Sequence, residues 1–113
     1  MAFSDTLQEK IMKLGSKQKL GAVIKHINNP NDDVRMTVAM ALGMIPTYES
    51  GMALIELLRD KSPMVRASAA EAAADIQAKN CEEYVKKLAF EDPDPNVKQV
   101  AMKAFEKLKD NVV

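Results

Sequence analysis

The chain is short of the residues that most enzyme chemistry depends on: one histidine, one cysteine, four glycines and no tryptophan in 113 residues. A single cysteine, Cys81, excludes an internal disulfide framework and suits a reducing, cytoplasmic setting. His26 and Cys81 fall short of the ligands of an ordinary zinc site, and no carboxylate motif recurs that would complete one. Nor do they resemble a nucleophile and its base, because they belong to different segments of the pattern described below. The glycines form neither a phosphate-binding loop nor a dinucleotide fingerprint. No catalytic residue, metal or cofactor is expected.

Charge of one sign is missing too. Sixteen basic residues balance sixteen acidic ones, which removes the field that a nucleic acid or an anionic membrane would need. No apolar run approaches the ~20 residues of a membrane span, and the opening stretch, MAFSDTLQEK, carries an acid and no apolar core. Neither a nucleic-acid nor a membrane partner is expected. What remains is 47% apolar and 28% charged, rich in the good helix formers Ala, Leu, Met, Lys and Glu.

A segment recurs three times, at spacings of 31 and then 32 residues: Asn31-Asp32-Asp33-Val34-Arg35, Ser62-Pro63-Met64-Val65-Arg66 and Asp94-Pro95-Asn96-Val97-Lys98. Alignment on the valines brings Asn31, Ser62 and Asp94, all favoured helix N-caps, into one column. Asp32, Pro63 and Pro95 then fall at the first helical position, where proline loses no hydrogen bond and aspartate favours the helix dipole. Downstream, Val38, Leu42 and Ile45, then Ala69, Ala73 and Ile76, then Ala101, Phe105 and Leu108 form one helical face per copy.

A second helix precedes each of these, striped by Leu20, Val23, Ile24 and Ile27, by Ala53, Leu54, Leu57 and Leu58, and by Tyr84, Val85 and Leu88 with Phe90. Asn29, Asp60 and Asp92 share a column just before each turn, Pro46 stops one helix, and Asn80 with Glu83 suggests a capping box. Residues 6–14 make a short amphipathic helix with Phe3, Leu7, Ile11 and Leu14 on one side and Gly15 as its stop. The total is seven helices.

This pattern resembles the HEAT-like repeat family, in the short form also found in phycobilisome lyases. The residues that carry the resemblance are the turn acid, the Val-Arg pair and the small residue followed by apolar ones, as in Asp60-x-x-x-x-Val65-Arg66-x-x-Ala69-Ala70 and Val34-Arg35-x-x-x-Ala39-x-Ala41-Leu42-Gly43. Asn29 departs from it at the turn acid, and Lys98 at the arginine. The resemblance covers about residues 18–110. It implies an all-α fold, an α-solenoid of three helical hairpins with a short N-terminal capping helix: one domain over 1–113, divided as 1–15, 17–46, 47–79 and 80–110. Val112 and Val113 would help to cap the far end.

A stack of hairpins of this kind is expected to serve as a non-enzymatic interaction or scaffold module that binds a protein or peptide on its concave face, as a monomer or weak homo-oligomer, with nucleic-acid binding a less favoured reading. An accessory protein or enzyme related to the phycobilin lyases is the alternative. A HEAT-type di-iron hydroxylase needs several His-Glu pairs, which a chain with one histidine lacks. Arg35, Arg66 and Lys98 invite an anion-binding row, but the resemblance assigns the arginines to a ladder with Asp60 and Asp92 that staples adjacent repeats. Cys81 falls in the first turn of a helix, where the dipole lowers a thiol pKa, though no base accompanies it. Asp92-Pro93-Asp94-Pro95-Asn96 lacks the glycine and distal glutamate of a calcium loop and is explained as a turn with an N-cap.

One feature breaks the repeat. Met36, Met40 and Met44 face away from the Val34 stripe; their aligned positions hold Ala67, Glu71 and Asp75, then Gln99, Lys103 and Lys107. The row grades from apolar through acidic to basic. Met36, Met40, Met44, Glu71, Asp75, Lys103 and Lys107 are therefore the candidate binding residues. The methionines are either covered by the N-terminal helix as a lid or open to a partner, a known use of methionine.

Overall fold

A computed structural model describes residues 3–110, with side chains for residues 6–109. Seven α-helices run through the described residues: α1 (Phe3–Ser16), α2 (Leu20–Ile24), α3 (Asp32–Leu42), α4 (Tyr48–Leu58), α5 (Pro63–Asp75), α6 (Glu82–Glu91) and α7 (Pro95–Asp110), with a 3-10 turn (Lys79–Cys81) leading into α6. No strand occurs among these residues, so the fold is all-α. Helices α1, α3, α5 and α7 lie side by side in that order, while α2, α4 and α6 pack against them as the second layer. Phe3 of the expected N-terminal stripe and the pair Val112 and Val113 lie outside the described side chains.

The core follows the predicted stripes, except that Tyr84 and Phe90 of the third are exposed. Val23, Val38, Leu42, Ile45, Leu54, Leu58, Val65, Val85, Val97 and Leu108 are all buried. Each such side chain contributes roughly 1.5–3 kcal/mol through removal from water. Helix α5 is apolar on most of its circumference, with Ala67, Ala69, Ala70, Ala72, Ala73 and Ala74 all buried, because it is flanked by α3, α4 and α7. Small side chains there let the neighbours approach closely. A Cβ on Gly43 of the α3 C-terminus would sit 3.0 Å from Ala72 Cβ.

The N-terminal helix differs from expectation in two ways. Gly15 does not stop α1, which continues to Ser16; it is buried against α3, and a Cβ there would sit 2.8 Å from Ala41 Cβ and 2.9 Å from its Cα. The stop comes later, at Gln18, which takes φ 57°, with Lys19 N–H donating to the Leu14 carbonyl and Gln18 N–H to that of Gly15. Helix α5 ends the same way at Gln77 (φ 54°), with Ala78 N–H donating to Ala73 and Gln77 N–H to Ala74. Helix α1 is thus a further member of the α3–α5–α7 layer in its packing, and it terminates as α5 does.

The capping box expected of Asn80 and Glu83 does not form. Helix α6 begins after the 3-10 turn with Cys81 at its N-cap position, and Asn80 Nδ2 instead donates to the Tyr48 carbonyl at 3.2 Å. Gly51 makes room for this: its missing side chain is the space that the Asn80 amide fills. A bond to a neighbouring helix has displaced the local cap.

Candidate functional site

The recurring turn is built by side chains that work twice. Asn29, Asp60 and Asp92 each accept the N–H two residues on, from Asn31, Ser62 and Asp94, at 2.9 Å in all three copies. Asn31 then caps α3 through the N–H groups of Asp33 and Val34, and Asp94 caps α7 through those of Asn96 and Val97. Ser62 occupies the equivalent position in extended conformation but makes no side-chain cap, leaving Pro63 to start α5.

Across the turns runs the ladder. Arg35 Nε and Nη2 donate to the two oxygens of Asp60 at 2.9 and 3.0 Å, and its Nη1 donates to the Asn29 carbonyl. Arg66 repeats this on Asp92 at 2.8 and 3.1 Å, with Nη1 on the Asp60 carbonyl. Each arginine therefore ties its own turn to the next in a bidentate pair. Burial pushes the Asp60 and Asp92 carboxyls up, but the arginine hydrogen bonds and the turn N–H groups outweigh it and hold both below the usual carboxylate range. The Asp60 hydrogen bonds likewise raise Arg35, against the opposing effect of its burial. With all three guanidinium nitrogens of each arginine engaged within the ladder, these residues fasten repeats rather than form an anion row.

The departures from the pattern fall at the ends of this ladder. Asn29 has no preceding arginine to receive, and an amide serves its turn as well as a carboxylate does. Lys98 has no described turn ahead of it and stands exposed.

Cys81 is fully buried, and its thiol donates to the Gly51 carbonyl at 3.2 Å. Burial pushes the thiol up to about 11, so the helix-dipole effect expected from sequence is overridden. No group of three or more candidate metal ligands occurs among the described residues, and no described helix is long and apolar enough to cross a membrane.

The predicted row divides into two parts. Met40 is 46% exposed, whereas Met36 and Met44 are half-buried, with Met36 packed against the core. Helix α1 does not lie over Met40 as a lid, because it packs at the Ala41 side of α3. Gln8 and Gln18 of the N-terminal segment donate to the carbonyls of Asp33 and Met44, which holds α1 beside α3.

The four charged members come together. Glu71 and Asp75 of α5 face Lys103 and Lys107 of α7 across a cleft of about 190 Å³ floored by Ala74 and Ala104. None of the four forms an ion pair among the described residues. Glu71 also borders an adjoining cleft of about 430 Å³ that contains Met64, which is 42% exposed. Met64 was missed by the sequence reading, although the same signal marks it: its aligned positions hold the polar Asp33 and Asn96. It continues the α5 stripe through Glu71 and Asp75 at i+7 and i+11.

Larger clefts open on the other side of the turns. One of about 690 Å³ is lined by Arg59, Tyr84, Lys87, Glu91 and the Arg66–Asp92 pair. Its central Arg66–Asp92 pair is mutually satisfied, while Arg59, Lys87 and Glu91 of its lining form no ion pair among the described residues.

A comparison with curated proteins finds no significant match. The family profile of HEAT repeats matches residues 51–113, from the middle of α4 onward. HEAT repeats generally mediate interactions between proteins, and the family is typically non-enzymatic. With more than half of its length matched, and with two layers of helices joined by a repeated arginine–aspartate turn, the chain belongs to the HEAT-repeat family.

Proposed function

We propose that this chain is a non-enzymatic interaction module that holds a protein or peptide along its concave face. That face is the row Met36, Met40, Met44, Glu71, Asp75, Lys103 and Lys107, with Met64 added to it. The observation that carries the reading is the pairing of an exposed, adaptable Met40 with a cleft whose acids and lysines remain unpaired across it. An unneutralised acidic wall opposite a basic one orients a ligand that carries both signs, and the methionine end buries an apolar side chain. A helix or extended peptide with an apolar residue at one end and opposite charges further along fits this order.

The test uses affinity purification of the intact chain from its source cell beside two variants, Met40→Glu and Lys103→Glu. A polypeptide retained by the native chain and lost from both variants supports the face. Equal retention by all three moves the contact elsewhere.

A further inference from the structure

Each helix of the α3–α5–α7 layer has a stripe that faces the following hairpin. On α3 it is Arg35, Ala39 and Leu42, all buried, with Arg35 reaching Asp60; on α5 it is Arg66, Ala70 and Ala73, with Arg66 reaching Asp92. On α7 the same positions hold Lys98, Met102 and Phe105, continued by Lys109. Among the described residues no helix packs over this stripe as α5 and α7 pack over the two before it: Lys98 and Lys109 are exposed, and Met102 and Phe105 are half-buried.

Phe90 of α6 extends the patch. It is 56% exposed and stands edge-on to Phe105 with ring centroids 6.3 Å apart. The Lys86 and Lys109 ammonium groups lie 6.0 and 5.6 Å from the Phe105 centroid. Among the described residues neither they nor Lys98 forms an ion pair, and Glu106 at the margin pairs with none of them.

Two features decide what fits. Met102 and Phe105 replace the buried alanines Ala70 and Ala73, so a further helix cannot approach α7 as closely as α7 approaches α5. A second copy is also disfavoured. Stacked head to tail it presents Asn29, which has no carboxylate for Lys98, and face to face it sets lysine against lysine. We infer that the face formed by Phe90, Met102 and Phe105 with Lys86, Lys98 and Lys109 docks an acidic amphipathic segment of a partner protein. The phenylalanines and methionine receive its apolar side chains, and the lysines receive its carboxylates, Lys98 from the column of the ladder arginines.

The test is fluorescence anisotropy with the full chain and a labelled amphipathic peptide bearing glutamates on one face and leucine and phenylalanine on the other. A lysine-for-glutamate peptide is the control. The expected result is saturable binding of the acidic peptide alone, weakened about tenfold or more by Lys98→Glu with Lys109→Glu and again by Phe90→Ser. These three residues are exposed, so unchanged circular dichroism melts should accompany the loss. Absence of binding, or binding indifferent to these substitutions, overturns the assignment. Concentration-dependent dimerisation abolished by Phe90→Ser overturns it as well, by giving the face to a second copy.

Discussion

Replacing Arg66 by methionine keeps an unbranched apolar stem and removes the guanidinium from the ladder. Asp92, whose side chain is 2% exposed, then keeps only the Asp94 N–H as a partner, and the Asp60 carbonyl loses its donor. Stranding one member of a buried pair costs about 3–5 kcal/mol. The Arg66 side chain is 14% exposed and water can reach the vacated position, so we place the loss below that range, at about 2–3 kcal/mol. Asp92→Asn keeps one oxygen for the turn N–H but removes the charge and turns the other oxygen into an NH2 donor facing Arg66 Nε, for a loss of about 1–3 kcal/mol. The two groups share a pair, so the double variant should lose less than the sum by about 1 kcal/mol or more.

Urea unfolding followed by far-ultraviolet circular dichroism measures all three values. Its pH dependence adds a second check. Asp92 is held below the usual carboxylate range in the folded chain, so its contribution is present above the unfolded value of about 4 and is lost as pH falls through the folded one. Arg66→Met should therefore flatten the fall of stability in acid. Additive losses, or an Arg66→Met cost below about 0.5 kcal/mol, would refute the ladder as the fastening between repeats.

Three further outcomes follow from local geometry. Gly15→Ala gains helix propensity but drives a Cβ into the Ala41 backbone, so thermal unfolding should show a net loss of about 1 kcal/mol or more, while Gly21→Ala, which meets nothing within 4 Å, should gain about 0.5–1 kcal/mol. Gln77→Gly relieves a left-handed backbone at φ 54° and should stabilise by about 0.5–1 kcal/mol; a destabilisation would mean that the Gln77 side chain matters more than its backbone. Cys81 should resist a thiol reagent at neutral pH in the native state and react at once in urea, since it is buried and its thiol is pushed up to about 11; fast native labelling would contradict its placement.

Helix number and register were legible in the sequence because three independent starts agree on the same columns, from the valines to the prolines at the first helical position. The candidate row was half legible. Glu71, Asp75, Lys103 and Lys107 share a cleft because helical spacing alone puts them on one stripe of neighbouring helices. Met36 and Met44 are half-buried because their burial depends on how closely α1 and α5 flank α3, and that distance is set by glycine and alanine contacts between segments far apart in sequence. The same cause misled the local readings: Gly15 resembled a helix stop but is a close-approach site, and Asn80 resembled a cap but bonds to α4. Cys81 follows suit, with tertiary burial overriding the effect of its place in a helix.

The central claim, that function resides where the repeat stops repeating, is tested most directly by comparing partner retention across the two layers. Affinity purification with quantitative mass spectrometry would set the native chain beside Met40→Glu and Lys103→Glu on the row, and beside Glu56→Lys, an exposed position on α4 in the other layer. The account predicts one polypeptide kept by the native chain and by Glu56→Lys and lost from both row variants. Loss with Glu56→Lys and retention by the row variants would contradict it.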